Sequence, residues 1–130
     1  MREYLALSIM SPAVDNVLLG SKKIEIRSWV PPKLPIYNLV LVQNNKYLHE
    51  GESDSNGVAL AVVDILETSD WTYGDYLRQS NEVTLGREWK EGYYFWKLEN
   101  IRKIVNKPMA VAKGGVYKII LPEIIVEGCE

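Results

Sequence analysis

Apolar residues recur at every second position near the start of the chain. Leu5, Leu7 and Ile9 alternate with Ala6, Ser8 and Met10, the period of a strand with one buried face. The pattern predicts a first strand over 4–10. Ser11-Pro12 then supplies an N-cap and a first helical position, and Val14, Val17 and Leu18 follow at i, i+3 and i+4. This predicts a short helix, ended by Gly20 in a left-handed cap. The period returns to two over 23–30. There Ile24 and Ile26 share one face, and Lys23, Glu25, Arg27 and Trp29 share the other.

Pro31, Pro32 and Pro35 stop that strand and force an extended crossing. Leu39-Val40-Leu41-Val42 is an unbroken apolar run, the mark of a strand buried on both faces. Residues 43–57 are polar, with Asn44-Asn45, Gly51 and Gly57, and read as a long surface loop. A second apolar strand runs from Val58 to Ile65. Thr72 with Asp75 forms a capping box that opens a short helix through Leu77 and Arg78. Residues 80–92 read as irregular, and Tyr93 to Leu98 as an aromatic strand continuing toward Ile104. Residues 106–113 read as a loop around Pro108. Gly114-Gly115 then permits an unusual backbone or a close approach, and Val116 to Leu121 is the last strand. Five to seven short strands and two small helices make the fold mostly β (α+β): a curled, largely antiparallel sheet or small barrel with short flanking helices.

The 130 residues suit one domain, 1–130, and neither a repeat nor a linker divides them. No apolar run approaches the ~18 residues of a membrane span, and the first residues lack a signal-peptide core. The expectation is a cytoplasmic protein with no membrane partner. One cysteine, Cys129, and one histidine, His49, cannot assemble a zinc site or a plausible Cys–His pair, so no metal is expected. His49, in a polar loop, is expected to be exposed. The net charge of −2 hides an asymmetry: Arg87 to Lys118 holds eight basic residues and three acids, which permits a basic surface on an acidic protein.

With no phosphate loop, no nucleophile elbow and no metal spacing, candidate chemistry reduces to Lys22, Lys23, Glu25 and Arg27. Arginine offers a planar fork to phosphate or base edges, and Trp29 a plane for stacking. The plainer account is an amphipathic strand whose charged face is solvated and self-paired. A regular strand from Lys22 would point that lysine with Ile24 and Ile26; so close to the Gly20 cap, it is expected to lie in the turn instead. A buried lysine beside a carboxylate could act as a base. The residues alone rank binding above catalysis.

Leu7-Ser8-Ile9, a proline-initiated helix and then Gly-x-Lys-x-x-Glu-x-Arg-x-Trp over Gly20 to Trp29 resemble the ASCH domain family of the PUA-like superfamily. The strand Val58 to Thr68, Tyr94, Asn100, Pro108 and Lys113-Gly114-Gly115 fit the same pattern, so the resemblance spans about 5–121. It is especially similar to the group of endothelial-overexpressed, lipopolysaccharide-associated factor proteins. The resemblance implies a small PUA-like β-barrel with a cleft beside the first helix, lined by Lys22, Glu25 and Arg27. It implies RNA or a nucleotide-like ligand as partner and no cofactor. The expected ligand-binding residues are Lys22, Glu25, Arg27, Trp29 and Tyr94. Small bacterial relatives are amidohydrolases that deacylate N-acetylated cytidine with a Gly-x-Lys-Thr-x-Thr-x-Arg motif whose second threonine is the nucleophile. This chain has Glu25 at that position and Lys23 at the first threonine, and Ser11-Pro12-Ala13 where related eukaryotic sequences have Gln-Pro-aromatic. An amidohydrolase here would have to use Lys22 and Glu25 to activate water. The third possibility is a protein-interaction module.

Overall fold

Strand pairing in the computed structural model, which describes residues 1–49, 51–84 and 86–127, starts from the alternating N-terminal segment. β1 (Arg2–Met10) lies between β3 (Ile36–Asn44), which it pairs in parallel, and β9 (Val116–Leu121), which it pairs antiparallel. Between them in sequence come α1 (Ala13–Leu19) and β2 (Ile24–Arg27). After β3 run β4 (Ser53–Ile65), β5 (Thr68–Asp70), α2 (Tyr73–Arg78), α3 (Asn81–Thr84), β6 (Tyr94–Lys97), β7 (Glu99–Lys103) and β8 (Met109–Lys113). One sheet has the order β7-β4-β3-β1-β9, with β8 also on β4; a second, three-stranded sheet has the order β2-β6-β5.

The mostly-β class holds, but the strands do not close into the expected barrel. β7 and β9 end the large sheet without pairing to each other, and β2, β5 and β6 stand apart in their own sheet. β8 and β9 are joined only by Gly114-Gly115, yet they hydrogen-bond to different strands, β4 and β1, so this short connection is a corner and not a hairpin.

The middle of the large sheet is buried on both faces, which is why β3 is continuously apolar from Leu39 to Val42. Leu39 and Leu41 enter one core with Leu7, Ile9, Ile65 and Trp96; Val40 and Val42 enter the other with Ala6, Val62 and Ile104. α1 covers the first core with Ala13, Val14 and Val17. Its start differs from expectation. Pro12 occupies the N-cap position with no side-chain cap. The Gln43 side-chain oxygen instead accepts from the Val14 N–H at 2.9 Å and the Asp15 N–H at 3.2 Å, and its amide donates to Asp15. These bonds satisfy helix donors that have no partner within the helix. Gly20 closes the helix as expected, at φ 86°, in the left-handed region that costs glycine least. The Thr72–Asp75 capping box is present on α2.

Three segments read as irregular are ordered. β3 extends to Asn44 and β4 begins at Ser53, which shortens the 43–57 loop from both ends. β8 fills most of the 106–113 loop, with Ala110 and Ala112 inward and Met109, Val111 and Lys113 outward. α3 forms within 80–92, and the aromatic strand is broken at Leu98 into β6 and β7. The described residues thus contain nine strands and three helices. β4 needs its length because its second edge serves two partners, β8 over Ser53–Val58 and β7 over Ala61–Asp64. Gly57 sits at a register shift against β8, where a Cβ would collide with the Ala110 carbonyl oxygen and lie 2.7 Å from Val42 Cγ1. Cys129, Glu50 and Glu130 lie outside the described residues. None of the helices described is long and apolar enough to cross a membrane.

The Gly57→Ala variant is expected to lose about 1–3 kcal/mol, the usual cost of forcing an extra methyl into a filled site. Urea unfolding checks this; a wild-type midpoint would show that the β4–β8 packing is slacker than described.

Candidate functional site

The turn after α1 sets the geometry of the site. The Gly20 N–H donates to Val17, and the Ser21 and Lys22 N–H groups both donate to the Asn16 carbonyl, at 3.1 and 3.2 Å. These bonds fold the chain back over the helix end before β2 begins at Ile24. Lys22 therefore lies in the turn, as expected, and its side chain is released from strand alternation. It turns to the face of Glu25 and Arg27.

On β2, Glu25 stands opposite Trp96 and Arg27 opposite Tyr94. The plainer account holds in its pairing and fails in its solvation: the charges of this face pair with one another, but of Lys23, Glu25 and Arg27 only Lys23 is exposed. Glu25 is 5% exposed and Lys22 1%, while Arg27 is half-buried. The two cations share the carboxylate. Lys22 Nζ lies 3.4 Å from Glu25 Oε1, and Arg27 donates to Oε2 through Nε at 3.1 Å and Nη2 at 2.8 Å. Lys22 Nζ also donates to the Val83 carbonyl in α3 at 2.6 Å, and Arg27 Nη2 to the Ser8 carbonyl on β1 at 2.8 Å. Lys22, Glu25 and Arg27 thus tie the small sheet to the large one. Arg27 Nη1 makes no hydrogen bond among the described residues.

Burial pushes the Lys22 ammonium below the ordinary lysine range, although Glu25 opposes that shift. Burial also pushes the Glu25 carboxyl up, but the adjacent Arg27 and Lys22 outweigh it and hold Glu25 below the usual carboxylate range. The network is therefore ionised at neutral pH at its carboxylate.

These residues floor a cleft of about 620 Å³ between the two sheets. One lip comes from the large sheet: Lys46, Tyr47 and His49 on the β3–β4 loop, and Lys113 with Gly114-Gly115 at the β8–β9 corner. The other comes from the small sheet and its neighbours: Trp29, Tyr93, Arg87 and Val83. Trp29 is half-buried, with its ring edge-on to Trp96 at 4.9 Å and its carbonyl accepting from the Trp96 indole at 3.2 Å. It both lids the core and lines the cleft. Tyr94, paired across from Arg27, is not among the lining residues; its neighbour Tyr93 is, with the Arg87 guanidinium 5.1 Å above its ring. Trp96 is fully buried in the core. His49 is exposed, as expected, but on the cleft lip.

Sequence reasoning did not single out Lys46, Tyr47 or Tyr93. Its one pointer to Arg87 was the excess of basic residues over 87–118; Lys113 stood out as well by its place beside Gly114-Gly115. Other members of that excess go elsewhere: Lys97 pairs with Glu67 and Lys103 with Glu127. Among the described residues the cleft holds five cations (Lys22, Arg27, Lys46, Arg87 and Lys113) and one carboxylate, Glu25. No three of the described His, Cys, Asp and Glu residues gather closely enough to hold a metal ion.

The arrangement defines a class of protein: a mostly-β module with a cationic, aromatic-edged cleft beside its first helix. The family model of the ASCH domain matches residues 7–108, well over half of the chain and all of the cleft floor. The chain belongs to the ASCH domain family, within the PUA-like superfamily, for which RNA binding is the proposed role. The match ends before the Lys113–Gly115 corner. No curated protein matches the chain, and the comparisons do not confirm the expected likeness to the endothelial-overexpressed, lipopolysaccharide-associated factor group.

Replacing Glu25 by glutamine leaves buried Lys22 and half-buried Arg27 without their counter-charge. The expected loss is about 3–5 kcal/mol in urea unfolding at pH 7. Because Glu25 titrates lower when folded than when unfolded, its stabilisation is complete above the ordinary carboxylate range. It is lost as pH falls through the depressed folded value. Glu25→Gln should therefore flatten the acid limb of the stability–pH curve; an acid limb as steep as wild type would contradict this role.

Proposed function

We propose that this cleft binds RNA or a nucleotide-like ligand, with phosphate meeting Arg27 Nη1, Arg87 and Lys113 and a base meeting the aromatic side chains of the lips. The observation that carries this reading is the charge imbalance. In a chain of net charge −2, the described residues concentrate five cations around one carboxylate in the cleft, and that carboxylate is already matched by two of them. Such a concave basic site attracts an anion, and aromatic edges suit an anion with a π-face. Glu25 acts through its neighbours: it holds the Arg27 guanidinium by Nε and Nη2 and leaves Nη1, on a cleft-lining residue, for a ligand. Trp29, held by Trp96, is a rigid plane for stacking. Tyr94 stands opposite Arg27 on the next strand.

Fluorescence anisotropy with short single-stranded RNA at two salt concentrations tests the reading. Removing one phosphate-neutralising cation should reduce the salt slope by about 0.7, so Arg87→Ala and Lys113→Ala, both at exposed residues, should each flatten it by that amount. Arg27→Ala should weaken binding further while the protein stays folded by circular dichroism. Absence of wild-type binding at low salt would overturn the reading; Arg27→Ala and Arg87→Ala variants that bind as wild type would overturn the site.

A second reading is favoured by the depressed Lys22 ammonium at the cleft floor: hydrolysis of an acylated nucleoside, with Lys22 and Glu25 activating water. Both groups are committed to internal partners, and the Ser8 hydroxyl is bonded to the Tyr117 hydroxyl and the Lys113 N–H, which ranks this reading second. N-acetylcytidine turnover abolished by Lys22→Met would raise it above binding alone; no turnover by wild type removes it.

A further inference from the structure

We infer that Tyr47, on the β3–β4 loop, is the stacking platform that makes the cleft select an unpaired base of single-stranded RNA over a duplex. The inference rests on the reading of the cleft as an RNA site and names the form of RNA it takes. Tyr47 is 65% exposed, lines the cleft, and has no side-chain hydrogen bond among the described residues. The Tyr47 and His49 rings meet in a T-shaped contact, with centroids 4.9 Å apart and planes at 72°. An aromatic ring that projects into a cleft and leaves so much surface in water contributes little to folding, and a flat partner would cover it.

The loop that presents this ring is pinned at both ends. The buried Asn44 side chain donates to the Lys46 carbonyl at 2.7 Å, and the Asn44 backbone carbonyl accepts from the Ser11 N–H at 2.7 Å. At the far end the His49 N–H donates to Glu52 Oε1 at 2.7 Å. The platform is therefore held in place before a ligand arrives, which lowers the ordering cost of binding. Lys46 is next in sequence. Lys113 joins the same lip from β8, where it pairs with Ser53 at the end of the loop. This lip thus combines a π-face with two ammonium groups, the pairing that tracks a single strand by stacking bases and neutralising its backbone. Bases in a duplex have their faces covered by neighbouring pairs, so a stacking lip discriminates against them.

The test measures binding of a fluorescent oligoadenylate and of the same strand annealed to oligouridylate, for wild type, Tyr47→Ala and Tyr47→Phe. Thermal melts of all three proteins should coincide, because the side chain is exposed. The expected result is tighter binding of the single strand by wild type and a loss of about 10-fold or more in Tyr47→Ala. The salt slope should stay unchanged in that variant, since no cation is removed, and Tyr47→Phe should bind as wild type. Single-strand affinity unchanged in Tyr47→Ala overturns the inference and leaves the cationic cleft standing. So does a loss in Tyr47→Phe as large as in Tyr47→Ala, or a duplex bound as tightly as the single strand. Failure of wild type to bind either RNA overturns this inference together with the reading beneath it.

Discussion

The structure depends on a buried carboxylate held between two cations. Glu25 is enclosed where two sheets meet, and an isolated carboxylate there would be strongly penalised. Lys22 and Arg27 compensate it from opposite sides, one on each oxygen. Each cation also reaches outward, Lys22 to the Val83 carbonyl and Arg27 to the Ser8 carbonyl. One charge cluster thereby connects the helix turn, the small sheet, the first strand of the large sheet and the segment at α3. A buried ion pair is weak evidence for net stability, but it is demanding about geometry, because removing any member leaves a charge without its partner. Here that demand fixes the relative placement of the elements that make the cleft.

The cleft is a consequence of the failure to close a barrel. Had the nine strands formed one continuous sheet, the space between β1 and β2 would be filled by backbone pairing. Because β2, β5 and β6 form a separate sheet, a seam remains beside α1, and its floor is polar. Trp96 anchors the small sheet to the shared core, and its indole bond to the Trp29 carbonyl holds Trp29 at the edge of the seam. The apolar core and the polar floor are thus adjacent layers of one interface, the first giving cohesion and the second leaving charge exposed to a ligand.

Much of the secondary structure is legible where burial is one-sided or complete. The stripe Val14, Val17 and Leu18 and the Gly20 cap mark α1, and the run Leu39 to Val42 marks a strand with two cores, because both signals come from side chains that must leave water. The segments that escape a reading of the sequence are those whose structure rests on the backbone. Ser53 to Gly57 is polar and mostly exposed, and it is a strand because β8 pairs with its edge. β8 alternates only small inward alanines beside a proline, too little apolar contrast to announce a strand. The helix cap expected of Ser11 fails for a related reason: the acceptor, Gln43, comes from a strand far along the chain and leaves no local signature.

The site divides along the same line. The Gly20–Trp29 motif is recognisable because its residue types are unusual together, and its spacing brings Lys22, Glu25, Arg27 and Trp29 to one place. The sequence alone determined which charges exist, where the turn falls and which residues must be buried as core, since those follow from local geometry and hydrophobicity. Only the tertiary structure decided that Glu25 is buried rather than solvated, that Tyr93 rather than Tyr94 lines the cleft, and that Lys46, Tyr47, Arg87 and Lys113 converge on it. Burial of a charge and the meeting of distant loops depend on how two sheets pack, and packing is a property of residues remote in sequence that no local pattern encodes.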